Sequence, residues 1–81
     1  MVLAQSEFLK FNNEFLIMTY DYIENYEKFG DKIPSIEGLA RTLGVGMPKI
    51  YSWEDDPKNV QFREALESLR TKMIELNQVM I

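Results

Sequence analysis

Apolar side chains recur along this chain at helical spacing, and no stretch shows the strict alternation of a half-buried strand. The first run holds Phe8, Phe11, Phe15, Met18 and Tyr22, widened by Leu16, Ile23 and Tyr26. It predicts one long amphipathic helix over about residues 6–29, with Ser6 as its N-cap. Gly30 can take the left-handed conformation that closes a helix, and Asp31-Lys32-Ile33-Pro34 reads as the loop after it.

Ser35 is placed to cap a second helix from Ile36 to Leu43, which buries Ile36, Leu39, Ala40 and Leu43 and stops at Gly44. A short third helix, Met47 to Trp53, buries Ile50 and Trp53. Glu54-Asp55-Asp56-Pro57 then breaks the pattern. Pro57 suits the first turn of a last helix, where its missing N–H costs nothing, and the acids before it suit the dipole. That helix carries Phe62, Leu66, Leu69, Met73, Leu76 and Met80, a narrow seam that asks for a helical partner. The spacing leaves open whether the partner is the first helix or another copy of the chain. The sum is an all-α domain over 1–81, a small bundle of about four helices. Its long first helix and its last helix, about 57–80, flank a helix-turn-helix at about 35–54.

Composition narrows the function. The 81 residues are 46% apolar and 27% charged, which is a folding domain rather than a disordered tail. There is no cysteine and no histidine, so a disulfide framework, a Cys/His zinc site, a thiol nucleophile and an imidazole base are all excluded. No acid/base pair with an orienting partner appears, and the expectation is a protein that is not an enzyme and takes no cofactor or metal. Asp55 and Asp56 lack a second ligand cluster and read as a helix start. No apolar run is long enough for a membrane span and no leader pattern opens the chain, so a cytoplasmic protein is expected.

The net charge of −4 opposes generic nucleic-acid binding, but its distribution is uneven. Residues 1–30 carry −3 and residues 54–81 carry −2, whereas residues 31–53, with Lys32, Arg41 and Lys49, are net positive. The positive segment contains the corner. In a helix-turn-helix a small residue must stand where the second helix crosses the first, and the turn needs a glycine. Ala40 and the bare α-carbon of Gly44 meet those needs, and Ile36, Leu39, Leu43, Val45, Ile50 and Trp53 fill the apolar positions around them.

Pro34-Ser35-Ile36-Glu37-Gly38-Leu39-Ala40, Leu43-Gly44-Val45, Ile50-Tyr51-x-Trp53 and the Asp-Pro before the last helix carry a likeness over residues 30 to 73. The stretch resembles the N-terminal DNA-binding domain of terminase small subunits, the DNA-packaging proteins of tailed bacteriophages. The resemblance implies recognition of the packaging-initiation site on viral double-stranded DNA in the host cell cytoplasm. It also implies assembly into a homo-oligomeric ring and delivery of the DNA to the terminase large subunit. Family members continue past this last helix, so the resemblance further implies a chain truncated at Ile81. Gly46-Met47-Pro48 stand where the family carries a Ser or Thr cap followed by Arg or Gln, so no side chain there can read a base by paired hydrogen bonds.

The residues left to contact DNA are Met47, Lys49, Tyr51 and Ser52 on the third helix, with Lys32, Arg41 and Lys58 near enough in sequence to meet phosphates. Each has a plainer use. Trp53 belongs in the core, Arg41 stands four residues after Glu37 and can pair with it, and Met18, Met73 and Met80 lie on apolar stripes as core or interface filler. Two other functions fit the same pattern: a helical protein-interaction and oligomerisation module, and a phage or bacterial helix-turn-helix transcription regulator.

Overall fold

Asn12 sets the start of the first helix among the described residues. Its backbone is extended and its side-chain oxygen accepts the Phe15 N–H at 3.1 Å, so α1 spans Asn13–Asn25. The computed structural model describes residues 10–79, the side chains of 78 and 79 excepted, and among them it contains helices and no strand. The continuous helix expected over 6–29 is corrected: residues 10–12 are not helical, because an Asn that bonds the backbone ahead of it favours a cap over helix interior. The expected cap Ser6, and Phe8, lie outside the described residues. Beyond Asn25 the chain tightens into a 3-10 turn, Tyr26–Phe29. Gly30 closes it at φ 93°, donating its N–H to Glu27 O while the Asp31 N–H reaches Tyr26 O.

The buried face of α1 is Leu16, Thr19, Tyr22 and Ile23. Met18, expected as core or interface filler, is 36% exposed and so not core, and Thr19 beside it is fully buried. Hydropathy ranks methionine above threonine, but a threonine hydroxyl satisfied inside its own helix can be buried cheaply, and Thr19 donates to Phe15 O at 2.7 Å.

Helix α2, Ile36–Leu43, begins at Ser35, whose hydroxyl accepts the Gly38 N–H at 2.9 Å. Helix α3, Met47–Asp55, runs past the expected end at Trp53 and starts at Gly46 with no side-chain cap. Helix α4, Val60–Val79, follows a tight turn. Pro57 is in that turn and not in the helix, because Asp56, Pro57, Lys58 and Asn59 close a β-turn: the Asn59 N–H reaches Asp56 O at 3.0 Å and the Lys58 N–H reaches Asp56 Oδ1 at 2.9 Å. Asp55 and Asp56 accordingly end α3, and the first turn of α4 holds no acid.

The C-terminal end of α3 is pinned to α4. Asn59 Nδ2 donates to Trp53 O at 3.0 Å, Arg63 Nε donates to Glu54 O at 3.3 Å, and Arg70 forks onto both Glu54 carboxylate oxygens at 2.5 and 3.0 Å. The first two bonds satisfy carbonyls that a helix end otherwise leaves to water, and the Arg70 fork ties the Glu54 side chain to α4.

Phe62, Ala65, Leu66 and Leu69 of α4 are fully buried, so this part of the seam closes within the chain. Phe62 meets Phe11 just ahead of α1 and Lys72 donates to Ile23 O near its end, so α1 and α4 lie side by side in the same direction. Met73 and Leu76 are only half-buried, and Met80 lies outside the described residues. An aromatic cluster of Phe11, Phe15, Trp53 and Phe62 joins α1, α3 and α4. Trp53, 6% exposed, is core as expected.

Candidate nucleic-acid interface

The corner between α2 and α3 is built by two hydrogen bonds and a left-handed residue. Gly44 sits at φ 76° and donates to Arg41 O at 3.2 Å, while the Val45 N–H reaches back to Ala40 O at 3.0 Å. A side chain at 44 would have open space, since a Cβ there meets nothing within 4 Å. Gly44 is therefore demanded by its backbone angle and not by helix crossing, which corrects the expectation drawn from its bare α-carbon. Ala40, 3% exposed, is the small buried residue of the pair.

The crowded glycine is Gly38. A Cβ on it would collide with the Asp31 carboxylate and the Tyr22 hydroxyl. Those groups form a network that fixes α2 on α1: Tyr22 Oη donates to Asp31 Oδ2 at 2.5 Å and accepts the Ser35 N–H at 3.1 Å, and Arg41 donates to Asp31 Oδ1 at 2.6 Å. The hydrogen bond from Tyr22, then that from Arg41, holds the Asp31 carboxyl below the ordinary carboxylate range. Burial, then its bond to Asp31, raises the Tyr22 phenol.

With Ile50 and Trp53 buried, α3 turns Pro48, Tyr51, Ser52 and Asp55 to solvent, the spacing of one helix face. Tyr51 is 44% exposed. Ser52 is exposed beside it, whereas Met47 is half-buried and packs on the core. Lys49 is half-buried and already engaged in an interaction, so it is not a free cation on this face. Arg41 is exposed but pairs with Asp31 and not with Glu37, because the network draws the guanidinium toward the loop. Lys32 is exposed in that loop and Lys58 in the turn after α3. Five of the seven expected contacts are thus exposed, Arg41 among them while paired to Asp31, and two, Met47 and Lys49, are drawn partly inward.

One lysine escaped the sequence reading. Lys10 lines a cleft of about 380 Å³ with Phe11, Trp53, Asp56, Lys58 and Asn59. Local sequence carries no sign of it: the packing of Phe11 on Trp53, at 5.5 Å between ring centres, brings Lys10 to the end of α3. Comparison with family models, with curated proteins and with solved structures finds no match to this chain. Among the described residues no helix is long and apolar enough to cross a membrane.

Proposed function

We propose that this chain binds duplex DNA by laying the outward face of α3 in the major groove, as the DNA-binding domain of a terminase small subunit. The observation that carries the reading is the corner: a left-handed glycine turn joins two short helices, and the second offers Tyr51 and Ser52 to solvent while Ile50 and Trp53 hold it to the core. The likeness over residues 30 to 73 supports the packaging role, with delivery of DNA to a large subunit as its consequence. Few cations stand on the face, so one copy should bind weakly, with a Kd of about 10⁻⁴ to 10⁻⁶ M at physiological salt. A ring of copies raises the effective affinity by linking weak contacts.

Anisotropy titration of a labelled duplex with wild type and Ser52→Glu tests the reading. A carboxylate on the α3 face opposes phosphate and weakens binding about tenfold or more. Equal binding by both proteins removes α3 from the interface.

A second reading is favoured by one observation. Ile17, 60% exposed, stands on α1 one turn from Tyr20, 42% exposed, and this apolar pair suits self-association or a protein partner.

A further inference from the structure

The cleft beside the C-terminal end of α3 combines charge and shape in a way that the α3 face does not. Two ammonium groups, Lys10 and Lys58, share it with one carboxylate, Asp56, inside a chain whose net charge is −4. Neither ammonium has a carboxylate within ion-pair distance among the described residues. Asp56 is partly committed, because its Oδ1 accepts the Lys58 backbone N–H at 2.9 Å. The floor is the edge of the aromatic cluster, Phe11 and Trp53, and Asn59 spends its amide N–H on Trp53 O at 3.0 Å. An apolar floor beneath two cations lowers the local dielectric and strengthens attraction for an anion.

Position chooses the anion. The nine residues of α3 span about 13 Å at 1.5 Å per residue, and the major groove of duplex DNA is about 12 Å wide. A helix with its N-terminal end in the groove therefore brings its C-terminal end to the strand that borders it. From this we propose that the Lys10–Lys58 cleft receives a backbone phosphodiester of that strand, a contact separate from the α3 face. The inference rests on the duplex-binding reading above. It makes Lys10 a phosphate contact supplied by the segment ahead of α1, and it explains how an acidic domain places positive charge where the backbone passes.

The test is the salt dependence of duplex binding, read by anisotropy at about 50 and about 200 mM salt. Lys10→Gln/Lys58→Gln should lower the slope of log affinity against log salt by about 2 and weaken binding roughly tenfold or more at about 0.1 M. Lys10→Gln alone should lower the slope by about 1, while Lys28→Gln, which removes the same charge outside the cleft, should leave it unchanged. Helicity and melting of the double variant should match wild type, since neither lysine side chain has a bond to lose among the described residues. Wild-type binding with an unchanged slope in the double variant overturns the cleft and leaves the α3 reading standing. An equal fall with Lys28→Gln likewise overturns it, as a loss of general charge. Absence of duplex binding by wild type overturns both.

Discussion

Tyr22 Oη lies 2.5 Å from Asp31 Oδ2 and donates to it, across nine positions of sequence and from a fully buried ring. The same oxygen accepts the Ser35 N–H, so one phenol joins α1 to the residue that caps α2. The orientation of the α2–α3 corner on the bundle therefore depends on a polar contact as well as on its apolar face.

Tyr22→Phe tests that contact. The ring stays and the hydroxyl goes, leaving the Ser35 N–H and an Asp31 oxygen without their partner. A cost of about 1–3 kcal/mol is expected, which lowers the Tm by several degrees in a domain of this size. Thermal melting followed by circular dichroism measures it; an unchanged melt removes the phenol from the fold's energetics.

Gly38→Ala gives a result opposite in sign to helix propensity. Within a helix, alanine is ordinarily about 1 kcal/mol better than glycine. Here the added methyl meets the Asp31 carboxylate and the Tyr22 hydroxyl, so the variant should be less stable than wild type in urea. Gly44→Ala should also destabilise, by about 1–2 kcal/mol, for the separate reason that its backbone is left-handed. A stabilised Gly38→Ala contradicts the close approach.

Much of this architecture is legible in the chain. Ser35, Gly30 and Gly44 act within a few residues of their own positions, so local chemistry is enough to place them. Ile36, Leu39, Ile50 and Trp53 follow the helical period and are buried accordingly. What the chain hides depends on distance in sequence. Arg70 and Glu54 stand 16 positions apart, Lys72 reaches Ile23 across 49, and Lys10 meets Lys58 only after Phe11 has packed on Trp53. The burial of Thr19 is hidden because a hydropathy pattern does not register a hydroxyl satisfied within its own helix. Pro57 misleads because a proline after an acid fits both a helix start and the second position of a β-turn.

Acid should loosen the α3–α4 junction. The hydrogen bond from Arg70 is the chief reason that the Glu54 carboxyl titrates below its ordinary value of 4.5. A group whose folded pKa is depressed contributes stability that is full above the unfolded value and lost as pH falls through the folded one. Urea midpoints should thus be flat near neutrality and drop below about pH 4.5, with a shallower drop in Glu54→Gln. At neutral pH that variant should cost about 1 kcal/mol, as the pair is partly solvated. Parallel pH profiles for the two proteins contradict a role for the pair.

The aromatic cluster should dominate stability. Phe62 is fully buried and touches both Phe11 and Trp53, so Phe62→Ala should cost about 3–5 kcal/mol. Trp53, the one tryptophan, reports unfolding by a red shift of its emission. A loss under about 1 kcal/mol would contradict the ring's central place in the cluster.

The most direct measurement is an amide chemical-shift titration of the nitrogen-labelled protein with duplex DNA. Shifts gathered on Lys49 to Asp55 of α3 and on Lys10 and Lys58 at its end are the expected result. Shifts gathered instead on Ile17 and Tyr20 of α1, or no shifts at all, contradict α3 as the surface that meets DNA.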